Sequence, residues 1–270
     1  MIRLLLLKHN TSGLTNCCVI GLLCLSMSAN AQRSNSNQLA HVIGIQFGVN
    51  QIKDKNLHSK VNAGTSTKLF YAFEKKEKNW HQFQFTIGYS RLKTGLEDLS
   101  KTINLELDLD YSLNFPALGK RNFKYYVGPE ARIAYNVSFY PNWDDSHLYW
   151  ADYYALGVSN ILFLELNNEN QWISSISFPL FSVFSRPDLY RLYKIDDTDF
   201  SGIVNNLNSN LTPATVPNVF YIRFRTEYRV PIFKDKQQGF TFSTDYSFVT
   251  ENSGNSFSQL SYQVGIKILL

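Results

Sequence analysis

The stretch from Phe123 to Phe139 constrains the fold of this chain more than any other. Its alternate residues are apolar along the whole length, and the residues between them are mostly polar or charged. Side chains alternate between the two faces of a β-strand, whereas a helix repeats every 3.6 residues, so this pattern predicts a strand. The strand is far longer than the roughly five or six residues of a typical globular strand. A strand of this length, with one apolar and one charged face, is typical of the wall of a transmembrane β-barrel.

The same alternation recurs along the chain and predicts ten strands in all. They lie at about 40–51, 60–75, 80–92, 102–115, 123–139, 149–166, 171–185, 217–231, 238–249 and 257–270. Short connections alternate with connections that are mostly longer, and bacterial outer-membrane barrels place tight turns in the periplasm and longer loops outside. We therefore predict an all-β fold, an antiparallel up-and-down transmembrane β-barrel of about ten strands. Both termini of the barrel are expected on the periplasmic side.

Composition agrees with a barrel and excludes other classes of protein. Hydrophobic residues make up 44% and aromatic residues 15% of the chain. Residues 32–270 nevertheless contain no run of about eighteen apolar residues, which a transmembrane helix would need. The formal charge of +4 is small and no basic run clusters on one helix face, so the sequence does not indicate a nucleic-acid partner.

The N-terminal region has the pattern of a cleaved signal peptide. Arg3 and Lys8 precede an apolar core, and an A-x-A cleavage site ends at Ala31. We predict a signal peptide at 1–31 and a single β-barrel domain at 32–270. All three cysteines lie in the predicted leader. The rest of the chain therefore offers no thiol for a disulfide, a nucleophile or a Cys-ligated zinc site.

The closing segment resembles the C-terminal signal by which outer-membrane proteins are recognised for barrel insertion. Tyr262, Val264, Ile266, Ile268 and Leu270 occupy alternate positions up to the last residue. That family usually ends in Phe, whereas this chain ends in Leu. The resemblance covers nearly all of the chain after the leader, and it implies a porin-like barrel in the outer membrane of a Gram-negative bacterium. Many unrelated activities share this architecture.

The inward-facing positions of the predicted strands carry many charges. A ten-stranded barrel has a narrow interior that side chains can largely fill, and arginine binds carboxylates bidentately. We therefore predict a structural salt-bridge network across the lumen, in which Glu106 lies opposite Arg132 and Asp108 lies near Glu130. Two carboxylates held together could instead serve as a catalytic acid pair or an ion path. The predicted network comprises Glu106, Asp108, Asp110, Lys124, Glu130, Arg132, Arg223, Arg225, Glu227 and Arg229.

Two neighbouring strands break the alternation because both of their faces are apolar. The inward residues of a predicted apolar lumen patch are Ile161, Phe163, Pro179, Phe181 and Val183. Pro179 lacks a backbone donor and predicts a bulge or a local opening of the sheet. The patch either lines a pocket for a lipid or another hydrophobic ligand, or it is covered by the long loop 186–216 folding back. We favour the second interpretation.

These features leave three functions open, and we expect no catalytic residue, no metal ion and no cofactor. We favour a non-enzymatic scaffold, adhesin or envelope-complex component that binds through loops 140–148 and 186–216, because binding residues often lie on loops of a rigid frame. Its expected partners are outer-membrane lipid and an envelope protein. The first alternative is a narrow pore or transporter for a small or hydrophobic molecule. The second is an outer-membrane hydrolase that uses His147, which follows an acidic pair without a recognisable catalytic spacing.

Overall fold

Twelve β-strands and one short helix make up the described part of the chain. A computed structural model describes residues 38–55, 60–94, 101–120, 122–141, 147–166, 170–187, 200–208, 211–215, 218–231, 239–251 and 256–269. The strands are β1 Gln38–Asp54, β2 Val61–Lys76, β3 Trp80–Lys93, β4 Lys101–Lys120, β5 Phe123–Tyr140, β6 His147–Trp150, β7 Asp152–Glu165, β8 Gln171–Ser185, β9 Leu211–Thr215, β10 Val219–Pro231, β11 Gly239–Glu251 and β12 Phe257–Leu269. The helix α1 is Phe200–Leu207. The predicted signal peptide lies outside the described residues, and no described helix is long and apolar enough to cross a membrane.

Ten of the strands close into an antiparallel barrel. They pair in the order β1, β2, β3, β4, β5, β7, β8, β10, β11 and β12. The ring closes where β12 pairs with β1, from Val42 opposite Leu269 to Asp54 opposite Phe257. Closure removes the open sheet edges, so the backbone groups of the wall bond within the sheet, as a membrane requires. The predicted antiparallel barrel of about ten strands is confirmed.

The two remaining strands extend the wall at one end of the barrel. We call this the outer end, and the opposite end, where Gln38 and Leu269 lie, the periplasmic end. The short strand β6 pairs with the last part of β5, and β9 pairs with the last part of β8. The stretch 186–216 was predicted to be a loop, but it contains the helix α1 and the strand β9. The predicted strand 149–166 is likewise divided into β6 and β7.

An apolar belt surrounds the barrel. Its members are large apolar side chains that alternate along the strands with buried polar ones, and they include Phe47, Leu69, Leu105, Leu156, Phe242, Val264 and Ile266. Exposed Tyr89, Tyr246 and Tyr262 lie towards the outer edge of this belt, and Gln51 and Arg91 lie beyond it. A soluble surface does not expose so large an apolar band, whereas acyl chains solvate it and aromatic girdles mark its edges. The belt is therefore the membrane-facing surface.

We expect the substitution Leu69→Arg to destabilise the folded barrel in lipid bilayers by about 2–4 kcal/mol, because a cation in the middle of the lipid-facing wall loses its hydration. The measurement is urea unfolding of the protein in vesicles. Gln51→Arg is the matched control: this exposed position lies beyond the belt, where the cost falls to about 0–1 kcal/mol. Equal effects of the two substitutions would contradict a lipid-facing Leu69.

Candidate functional site

The pairing of β4 with β5 determines which charges meet inside the barrel. β4 continues past Pro116 to Lys120, which pairs with Phe123 across a short turn. Asp110 therefore lies opposite Arg132, and Glu106 lies opposite Asn136. The prediction that Glu106 faces Arg132 is wrong by four residues, because it assumed that the turn begins at Pro116.

The central part of the lumen contains three ion pairs. Arg132 binds Asp108 through both sides of its guanidinium group, with its Nε 2.8 Å from Oδ1. Arg223 on β10 reaches across the lumen to Asp110 on β4, with Nη1 2.7 Å from Oδ2. Glu106 pairs with Lys68 at 2.5 Å, a lysine absent from the predicted network. Buried charges are tolerated when they are paired and hydrogen-bonded in this way.

A second charged cluster lies nearer the periplasmic end, and Arg229 is its centre. Arg229 binds Glu74 bidentately, with distances of 3.0 and 2.7 Å, and its Nη2 also donates to Glu227 at 2.8 Å. Lys267 forms a further ion pair with Glu227. Sequence reasoning missed Glu74 and Lys267, although both stand at inward-facing positions, Glu74 after the outward Phe73 and Lys267 between the outward Ile266 and Ile268. The inward position of each residue in the alternation of its strand was the signal that could have identified it.

Three members of the predicted network have other surroundings. Lys124 is exposed at the periplasmic end of the wall, and Arg225 is only partly buried. Glu130 is buried and accepts a hydrogen bond from Ser177. The ion pairs of the central and periplasmic clusters include Glu106, Asp108, Asp110, Arg132, Arg223, Glu227 and Arg229 of the predicted network.

The outer end of the lumen is closed by an arginine and an apolar layer. Arg186, which directly follows β8, pairs with Asp54 at 3.2 Å and with Glu251 at 3.0 Å, and all three residues are buried. The apolar layer below comes from strands all around the barrel and includes Ile52, Leu92, Tyr153, Phe184, Tyr221, Val249 and Phe257. These contacts join opposite sides of the wall.

An aromatic cluster with a lysine against its rings lies in the lumen at the periplasmic end. The Nζ atom of Lys76 lies 4.4 Å from the ring centre of Trp80 and 3.5 Å from that of Phe163. Trp80 and Phe163 pack in one buried cluster with Tyr126 and Ile161. An ammonium group over aromatic faces is stabilised by the ring quadrupole. The lysine thus links β2 to β7 across the lumen.

The predicted apolar patch is divided by a bulge in β8. Gly157 pairs with Pro179 and Leu156 pairs with Phe181, so Leu180 has no partner on β7. An extra residue inverts the alternation beyond it. A Cβ atom on Gly157 would overlap the carbonyl oxygen of Phe178, so this close approach requires glycine.

The inward placement predicted for Phe181 and Val183 is therefore wrong. Phe181 is 43% exposed, whereas Phe184 is 4% exposed and faces the lumen. Val183 is partly exposed, and Pro179 remains buried. The loop 186–216 was expected to fold back over the patch, but its residues Leu189, Tyr190, Leu192 and Tyr193 lie outside the described residues.

The charged centre of the lumen encloses little free space. A cavity of about 20 Å³ lies among Lys68, Asp108, Arg132 and Arg223, which is about the room that one water molecule needs. The arrangement holds paired charges around a space of this size. His147 begins β6, but the acidic pair before it lies outside the described residues and the placement of its side chain is not described.

Similar solved structures are outer-membrane β-barrels. The chain is similar to the outer membrane protease OmpT from Escherichia coli, with a TM-score of 0.50 at 5% identity, over 89% of this chain and 98% of that chain. It is also similar to the translocator domain of autotransporter NalP from Neisseria meningitidis, with a TM-score of 0.44 at 7% identity, over 94% of this chain and 95% of that chain. At these identities the likeness shows the fold alone. No family model and no curated protein matches the chain.

The fold, the apolar belt and the likeness to OmpT agree on one class of protein. A closed antiparallel wall with a lipid-facing exterior and a polar interior is the architecture of bacterial outer-membrane proteins. The predictions of an integral, porin-like β-barrel and of its location in the outer membrane of a Gram-negative bacterium are confirmed.

We expect Arg229→Met to destabilise the barrel by about 3–5 kcal/mol, because it leaves two buried carboxylates without their shared cation. The free energy of unfolding in detergent micelles is the measurement. Lys124→Met is the matched control: it removes an exposed charge and should change stability by less than about 0.5 kcal/mol. The interpretation of Arg229 as a structural centre fails if the two variants are equally stable.

Cysteine labelling tests the inverted alternation in β8. In a variant that begins at Gln32 and so lacks all three cysteines, Phe181→Cys should react with a lipid-soluble maleimide in vesicles, because the position is exposed on the outer wall. Ser182→Cys should be protected, because Ser182 is buried. The bulge at Leu180 would be contradicted by the reverse order of reactivity.

Proposed function

We propose that this outer-membrane β-barrel is a non-enzymatic, non-conducting scaffold that acts as an adhesin or as a component of an envelope complex. Its recognition surface is formed by loops 140–148 and 186–216 at the outer end. The observation that carries this proposal is that side chains bridge the lumen at three successive levels.

The three levels of bridging support a lumen without a continuous water path. At the periplasmic end Lys76 reaches Phe163, in the centre Arg223 reaches Asp110, and at the outer end Arg186 reaches Glu251. Each contact joins strands that are not neighbours in the ring. An ion that crosses the barrel would have to break buried ion pairs, which costs several kcal/mol for each pair.

The described parts of the outer loops are held firmly against the wall. Ser185 donates a hydrogen bond to the carbonyl oxygen of Leu207, with a distance of 2.6 Å, and so connects the end of α1 to β8. Tyr154 donates to the side chain of Asn208, and β9 adds a backbone pairing to β8. A binding surface that is ordered in advance loses less conformational entropy when a partner binds. The exposed side chain of Leu211 on β9 belongs to this surface.

The other two functions have less support. A narrow pore would need an open path through the bridged lumen, and a transporter for a hydrophobic molecule would need an apolar lumen cavity beside Ile161 and Phe163, which instead pack against Trp80 and Tyr126. For the hydrolase, the acidic pair before His147 lies outside the described residues, and no observation favours this function.

Two experiments test the proposal, one on conductance and one on partner binding. In planar bilayers we expect no conductance steps, because the lumen is bridged by side chains. In affinity purification from envelope extracts we expect a stoichiometric protein partner, and we expect that partner to be lost when residues 142–146 and 188–199 are both replaced by Gly-Ser segments. Conductance steps of the unaltered protein would favour the pore instead.

The matched control replaces residues 252–255, another connection at the outer end, by a Gly-Ser segment of the same length. This variant should keep the partner, because the proposed surface is intact. The scaffold proposal is wrong if the partner stays bound to the first variant, or if the barrel hydrolyses an envelope lipid or peptide and His147→Ala abolishes that hydrolysis while the fold is retained.

A further inference from the structure

Basic side chains are concentrated on one side of the outer end of the barrel. We call them the outer-rim basic patch, which consists of Lys53, Lys55, Lys60, Arg91, Lys93 and Lys101. They belong to the outer ends of β1, β3 and β4 and to the connection between β1 and β2. Five of the six are exposed, and Lys53 is partly exposed. The outer ends of the other barrel strands carry no exposed lysine or arginine among their described residues.

The patch lies directly beyond the membrane-facing belt. Along β3, exposed Tyr89 is followed on the same face by Arg91 and then by Lys93. Arg91 Nε donates to the hydroxyl oxygen of Tyr89 at 2.8 Å, so the guanidinium group is held at the edge of the belt. A cation at this height lies at the level of the lipid headgroups rather than above the mouth of the barrel.

Two of the cations face each other across neighbouring strands. Lys93 on β3 is directly opposite Lys101 on β4. Like charges in this position lie about 5 Å apart at their Cβ atoms and destabilise the sheet. An anion that binds between them would remove the repulsion. The pairing therefore favours a ligand with closely spaced negative charge.

Carboxylates in the described part of the chain do not neutralise the patch. Asp54, next to Lys53 in the sequence, is buried and binds Arg186 inside the barrel. None of the six basic residues forms an ion pair with a described carboxylate. Glu97 and Asp98 lie outside the described residues. The described rim thus presents a net positive charge to the membrane surface.

We propose that the outer-rim basic patch binds the phosphate groups of lipid headgroups in the outer leaflet of the membrane, and that lipid with more than one phosphate is preferred. Arg91, Lys93 and Lys101 form the centre of this site. The site orients one side of the barrel towards anionic lipid, and it does not depend on the proposed scaffold function. A docked protein is a less suitable ligand, because the cations face the membrane surface along the wall.

The test uses the folded full-length barrel in micelles of a neutral detergent. The probe is lipid A with two phosphate groups, and the comparison ligands are the same glycolipid without phosphate and inorganic phosphate. Each basic residue near an anionic surface contributes roughly fivefold to affinity, so the triple variant Arg91→Gln, Lys93→Gln, Lys101→Gln should bind the probe about 100-fold more weakly. The matched control neutralises Lys75, Lys120 and Lys124 at the periplasmic end and should bind within about twofold of the unaltered protein.

Several outcomes decide the proposal. Loss of affinity in the triple variant alone, together with weak binding of the phosphate-free glycolipid, supports it. Equal affinity of the triple variant, equal binding of the phosphate-free glycolipid, or displacement of the probe by an equal concentration of inorganic phosphate would overturn it. If the triple variant does not fold, the unaltered protein decides: its affinity must fall steeply as salt rises, and an affinity independent of salt would refute the site.

Discussion

Closure of the sheet is the constraint on which the rest of this structure depends. A bilayer offers no water to the backbone, so every strand must bond to a neighbour on each side, and the pairing of β12 with β1 completes that requirement. Once the ring is closed, each strand has one face towards lipid and one towards the lumen. The alternation of apolar and polar residues along the chain is the consequence of this division.

Side chains in the interior connect opposite sides of the closed ring and make it a rigid frame. Charged side chains enter a narrow, poorly solvated space, where each needs a partner of opposite charge. Arg223 and Arg229 find theirs on β4 and β2, across the lumen from β10. These ion pairs, together with the apolar layer at the outer end and the aromatic cluster around Lys76, link opposite walls. A frame of this kind leaves little room for a passage.

Much of the fold was predictable from local pattern, and the site was predictable only in part. A period of two over long segments identified the ten barrel strands, because each lies between lipid and lumen along most of its length. The same parity identified Asp108, Asp110, Arg132 and Arg223 as lumen residues. It could not assign their partners, since extending β4 beyond Pro116 moved the register with β5 by four residues.

Sequence by itself determined which side chains of the regular strands face lipid and most of the charges that enter the lumen, because side-chain direction is a property of a single strand as long as no bulge interrupts it. Tertiary structure alone decided that Glu106 pairs with Lys68 and that the bulge at Leu180 moves Phe184 inward and Phe181 outward. The physical reason is that ion pairs and bulges depend on the register between strands distant in the chain. That register is established only when all ten strands close around a common interior.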